Sequence, residues 1–283
     1  MRCDSHVHVV GEIERYPQLA TRSYLAGAAE LATLRQLGSA RDIKRFVIVQ
    51  PSFYGSDNTV LLETLDVLGE LGRGVAVVDE NNILPAMLVD LNRRGVRGLR
   101  INLYSVLGKP KAFDAVFKAM DNIAREMGWH VEVIAPFAVL NEYADLLARS
   151  QAPVVLDHYA LHGRSAPNSG EGRRVLELLR LAHVWIKLSA PYRVSDNPIE
   201  TRPDAAWLKA ILTAAPQRCV WGSDWPFTAP NEAHKGPDIV APYRPLSYAT
   251  LFDNFLTAVG SPELAEQILQ DNPARLYGFP DTR

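Results

Sequence analysis

Short runs rich in Val, Ile and aromatic residues recur along the chain, at 2–10, 45–52, 74–79, 96–103, 129–136, 152–159, 184–191 and 218–225. Most end in polar residues or in Pro and Gly, as strands do where the chain turns. Between them lie stretches whose apolar positions repeat with the 3.6-residue helical period: 58–71, 83–95, 113–128, 137–150, 172–182 and 204–215. Two more, 248–260 and 262–278, follow the last strand. Asn58 stands where an N-cap belongs, and Gly95 and Gly128 stand where a helix-ending glycine belongs. Eight strands alternating with helices predict a parallel sheet with right-handed crossovers. At this length the arithmetic is that of an α/β-class (β/α)8 TIM barrel, one domain spanning 1–283. An open doubly wound sheet would show a glycine-rich turn after its first strand, and GEIERYPQ at 11–18 is no such turn. The long polar stretches 162–173, 192–204 and 226–245 each follow a late strand, on the face where barrel loops build sites.

Composition narrows the classes. Of 283 residues 47% are hydrophobic and 22% charged, which excludes disorder as the main state. Thirty basic against 32 acidic residues give a net charge of -2. That removes the field on which most binders of nucleic acid or anionic membrane rely. No apolar run approaches the roughly 20 residues of a bilayer span, and the start has no secretory pattern. A soluble, cytoplasmic protein is expected, with homo-oligomerisation left open. Cys3 and Cys219 cannot make a disulfide framework, and strand parity points both outward if the histidines point in.

The chemistry begins at Asp4-Ser-His-Val-His8. Alternate residues on a strand share a face, so His6 and His8 point together and can grip one metal ion or one substrate oxygen. The plain alternative is a pair of hydrogen-bonded core histidines. His158 follows Asp157 at the end of the sixth strand, and Asp224 lies in Trp221-Gly-Ser-Asp-Trp-Pro226 at the end of the eighth. In a closed barrel the eighth strand lies beside the first, which sets Asp224 against His6 and His8. A charge between two tryptophans is costly unless it has partners. Arg100 and Asn102 share a face at the end of the fourth strand, and an inward arginine at a barrel mouth suggests an anionic ligand. Ser52 and Tyr54, after the second strand, are further polar candidates. His130 and Glu132 share a parity on the fifth strand and could add a ligand.

These motifs in this order resemble the amidohydrolase superfamily, in its amidohydrolase-2 branch, and there the 2-pyrone-4,6-dicarboxylate lactonase-like group. The likeness extends to Phe46–Gln50, Gly55–Asn58, Gly74–Asp79, Gly95–Arg100, Gly128–His130 and Asn272–Tyr277. It implies a distorted barrel that opens a small anionic lactone: a pyrone dicarboxylate, a muconolactone or a sugar-acid lactone. It implies Asp224 as general base, with His6, His8 and His158 polarising the carbonyl directly or through a divalent cation. No cofactor is then required, or one cation held by these four residues, with zinc foremost. The fourth strand, GLRINL at 98–103, has no Lys or Glu to bridge two metals. The resemblance also assigns Arg193, Tyr24 and, with a different loop length, Arg164 to substrate contact. Two departures alter the anion set: Tyr104 to Lys109 where the group has an arginine, and Ile134 where it has a tyrosine. A zinc-dependent decarboxylase, a lactone isomerase and a non-catalytic carboxylate-binding barrel are the rival readings.

Overall fold

All eight expected strands form, because each apolar run is buried against helices on one side and its own ring on the other. A computed structural model describes residues 1–79, 81–104, 113–229, 236 and 238–280. The strands are β1 (Arg2–Val7), β2 (Ile43–Val49), β3 (Gly72–Ala76) and β4 (Val96–Asn102), then β5 (His130–Ile134), β6 (Val154–Leu156), β7 (Val184–Ser189) and β8 (Cys219–Gly222). They pair in parallel in chain order. The ring closes between β8 and β1: the His8 N–H donates to the Trp225 carbonyl at 2.8 Å and the Asp224 N–H to that of His6 at 2.9 Å. Asp4 stitches the same seam, accepting from the Ser223 N–H and the Tyr248 hydroxyl, both at 2.9 Å.

The helices follow the predicted stripes with local departures. Helix Leu31–Ser39 was not expected: it buries only Leu34 and Gly38, too little to make a stripe. The 137–150 stretch breaks at Tyr143 into Phe137–Glu142 and Ala144–Ala148. The 262–278 stretch is interrupted by a π-turn at Gln267–Asp271. Asn58 stands at the N-cap position as expected, but its side chain makes no capping hydrogen bond. Its side chain instead exchanges hydrogen bonds with the Val77 backbone, and Asp57 accepts from the Thr59 N–H. Gly95 does follow a helix end as expected, at φ 98°. A short parallel pair, Leu25–Ala26 with Val240–Ala241, joins two loops above the barrel's carboxyl end.

Residues paired across neighbouring strands share a face, which separates the inner core from the outer one. Inside the ring sit Val47, Val49, Val75, Val155, Trp185 and Val220, with Tyr277 and Phe279 beneath them. The guanidinium groups of Arg45 and Arg73 lie over the Phe279 ring at 4.9 and 4.6 Å, and Arg73 donates to the Tyr277 and Gly278 carbonyls. That end of the barrel is thereby sealed. Cys3 belongs to this inner cluster, not to the outer face. The expectation that it points outward fails because β1 shifts register twice, between Arg2 and Cys3 and between Asp4 and Val7, which breaks strict alternation. Cys219 does face outward, its Sγ 3.2 Å from the Ala215 carbonyl oxygen.

Candidate active site

The carboxyl ends of β1, β6 and β8 bring four side chains to one point. Val7 packs into the outer core, so His6 and His8 on either side of it turn inward. His158 and Asp224 leave their strands in the left-handed region, at φ 49° and 60°. His158 opens a run of four such residues through Leu161. Non-glycine residues hold that conformation at a cost of about 1–3 kcal/mol each, and only where the surroundings over-determine it. The strain aims both side chains at the axis.

Asp224 is fully buried, and its two oxygens face different neighbours. Oδ1 lies 3.4 Å from His8 Nε2, 3.5 Å from His6 Nε2 and 3.9 Å from His158 Nε2. Oδ2 accepts from the Tyr192 hydroxyl at 2.6 Å and from Arg193 Nε at 2.9 Å. Burial alone would push this carboxyl up. The Arg193 guanidinium beside it outweighs burial and holds the group well below the usual carboxylate range. Burial also drives His158 down to about 3 and His6 well below its ordinary value, so both rings are neutral near pH 7. The Val49 carbonyl can only accept, so the 2.8 Å contact fixes a proton on His8 Nδ1. His158 Nδ1 meets the Ser189 hydroxyl at 2.8 Å.

A second layer lies beneath. Lys187, on β7, is fully buried; its Nζ touches Glu132 and lies 3.0 Å from His6 Nδ1 and 3.6 Å from Asp157 Oδ1. Arg100 donates to the Gln50 carbonyl at 3.0 Å and to Asp157 at 3.3 Å, with Glu132 3.7 Å away. Burial, reinforced by Asp157, raises Glu132 to about 7. His130 is buried as well, pushed down to about 3 by the same loss of solvent.

Above the four converging groups opens a cavity of about 580 Å³. His8, Tyr24, Ser52, Arg100, Asn102 and Arg193 line it, as the sequence suggested. Two candidates lie elsewhere. Tyr54 is buried beneath a loop, where its hydroxyl accepts from the Gly11 N–H. Arg164 is exposed and paired with Asp196 at 2.7 Å, outside the cavity. Ile134 and Tyr104 reach the wall, while 105–109 fall outside the described residues. The sequence reading missed Lys187, Asp157, Tyr192, Tyr243 and Arg244. Lys187 had left a signal, as the one charged residue in the apolar strand VWIKLS.

His6 Nε2, His158 Nε2 and Asp224 Oδ1 are buried with no hydrogen-bond partner among the described residues. The ligand atoms of His6, His8 and Asp224 lie within 4.8 Å of one another, as do those of His6, Asp157 and His158. Imidazole and carboxylate donors at that spacing fit one divalent cation. They fit equally a polarised carbonyl oxygen and an attacking water. No helix among the described residues is long and apolar enough to cross a membrane.

A family model described as Amidohydrolase matches residues 3–279. A 4-sulfomuconolactone hydrolase of Hydrogenophaga intermedia is 27% identical over 280 residues, covering 97% of this chain and 88% of its own. A 2-pyrone-4,6-dicarboxylate hydrolase of Comamonas testosteroni is 30% identical over 287 residues, covering 97% and 89%. The crystal structure of a probable 2-pyrone-4,6-dicarboxylic acid hydrolase from Acinetobacter baumannii, with citric acid bound, superposes at a TM-score of 0.82. It is 25% identical and covers 98% of this chain and 99% of its own.

Proposed function

The chain belongs to the amidohydrolase family, and from that premise we propose that it opens a small carboxylated lactone by adding water across the ring ester. The observation that carries this reading is the two-sided setting of Asp224. One oxygen is clamped by Tyr192 and Arg193, and the other faces three imidazole nitrogens beneath a cavity. A carboxylate so held is ionised and aimed, which is what a general base needs. The lactone hydrolases among the relatives support the substrate class.

In this mechanism the lactone carbonyl oxygen lies toward the imidazoles. Asp224 Oδ1 takes a proton from water as the water oxygen bonds to the carbonyl carbon. The imidazoles offset the charge growing on the carbonyl oxygen. The tetrahedral intermediate collapses, the ring C–O bond breaks, and Asp224 returns its proton to the leaving oxygen. The product is the ring-opened acid. Arg100, with Arg193 and Arg244 on the facing wall, supplies positive charge for the substrate's carboxylate, with Tyr24, Ser52 and Asn102 as neutral contacts. One divalent cation, zinc foremost, would be held by His6, His8, His158 and Asp224 and would supply Lewis acidity. The chain's own groups suffice without it where the ester is activated.

The test is turnover of a panel of carboxylated lactones by purified protein, with and without chelator. Turnover that survives chelation is expected; a panel with no turnover overturns the reading. Loss on chelation with recovery on zinc would make the cation part of the machinery.

A further inference from the structure

His6 Nδ1 sits between two competitors. Lys187 Nζ is 3.0 Å away, within hydrogen-bond distance and able to donate; Asp157 Oδ1 is 3.4 Å away and able only to accept. The partner that wins decides which nitrogen of the ring carries the proton. If Asp157 wins, Nδ1 is protonated and Nε2 presents a lone pair, the arrangement of a metal-ligating histidine backed by a carboxylate. If Lys187 wins, Nδ1 accepts and the neutral ring must carry its proton on Nε2, the atom that faces Asp224 and the reaction centre.

The surroundings favour Lys187. An ammonium has three N–H donors and no acceptor. Around Nζ stand three acceptors: a Glu132 oxygen, His6 Nδ1 and Asp157 Oδ1. The side chain is wholly buried, out of reach of bulk solvent. A lysine in an apolar ring without acceptors would be far too costly; here two lie within hydrogen-bond distance and a third, Asp157 Oδ1, at 3.6 Å.

We propose that Lys187 is a positioning residue that locks His6 in the Nε2–H tautomer, so that His6 donates a hydrogen bond to the carbonyl oxygen and is withheld from a cation. His6 and His8 then play opposite parts from one strand. His8 keeps a proton on Nδ1 through its bond to Val49, whereas His6 carries its proton on Nε2. Zinc binding requires His6 to give up that proton and turn to Asp157. The donation to substrate rests on the lactone reading above, whereas the tautomer and the metal affinity do not.

The experiment is ¹⁵N nuclear magnetic resonance of histidine-labelled protein at neutral pH, with His6 assigned by the loss of its signals in His6→Gln. It is paired with zinc titration against a chromogenic chelator. Wild type is expected to show His6 protonated on Nε2. Lys187→Met is expected to move the proton to Nδ1 and to bind zinc at least about tenfold more tightly, the scale on which changes behind a metal ligand act. A wild-type His6 protonated on Nδ1 overturns the proposal without recourse to any substitution at Lys187. So does a folded Lys187→Met with unchanged zinc affinity. Nitrogen signals as expected with no lactone turned over would sink the hydrolase reading and leave this one standing.

Discussion

At the residue scale the division of Asp224 into a clamped and a reacting oxygen makes two predictions. Asp224→Asn should lower kcat by about 10²–10⁴-fold, the range of a lost general base. Binding of the ring-opened product, measured as inhibition, should change little. An Asn variant of near-normal kcat would remove the proposed base. Arg193 is the strongest influence opposing burial at this carboxyl, so Arg193→Gln should raise its pKa. The base works only when ionised. The acid limb of the kcat/KM profile should therefore move to higher pH, by about 1–3 units for a lost neighbouring charge. A limb that stays in place would mean Arg193 serves substrate alone. His6, His8, His158 and Asp224 were legible because each sits in a motif at a strand end. Arg164 was not, because its loop follows its own course to Asp196. Lys187 escaped notice because its partners come from β1, β5 and the end of β6, and no local pattern joins them.

At the element scale the weak point is the seam. A methyl group on Gly222 would lie 2.5 Å from His6 Cβ and 2.8 Å from its backbone nitrogen. Backbone cannot step aside as a flexible side chain would. Gly222→Ala should therefore destabilise by about 1–3 kcal/mol, the usual scale of overpacking, and lower turnover with it. Denaturant unfolding and kinetics on one sample check both, and an unchanged midpoint would show that β8 has room to move. The strands were readable from their composition, since each is buried on both faces. The left-handed run His158–Leu161 was not, because Tyr, Ala and Leu do not ordinarily choose that conformation. The pairing of Leu25–Ala26 with Val240–Ala241 was hidden too, since two residues are too few to show alternation. Cys3 was misplaced because parity arguments assume an unbroken register, and β1 has shifts.

At the scale of the whole molecule the buried ionisable groups set the response to acid. His130 and His158 lie near 3, His162 near 4, and His6 well below its ordinary value, each lowered chiefly by burial. These rings bind protons only after unfolding, over a window from about pH 6.5 down to about pH 3. Their stabilisation is thus complete above that window and is lost as pH falls through it. Asp4 and Glu132, raised by burial to about 6 and about 7, act in the opposite sense, since the folded protein takes their protons first. Four rings against two carboxyl groups leave about two extra protons on the unfolded chain near pH 5. Stability should then fall by roughly 2–3 kcal/mol per pH unit there. Chemical denaturation at pH 6.5, 5.5 and 4.5 measures that slope, and a flat response would mean that water reaches these rings.

The order in which the strands are joined has a consequence for how the protein is made. His6 and His8 stand on the first strand of the ring and Asp224 at the end of the last. They become neighbours only when the two ends of the sheet meet, after every intervening hairpin of strand and helix has found its place. Such a contact, spanning most of the chain, is the kind that forms slowly. Most of the secondary structure can be present while the reacting groups are still far apart. Turnover is therefore a stricter witness of completed folding than any spectrum of helix content. In a refolding experiment it should be the last signal to return.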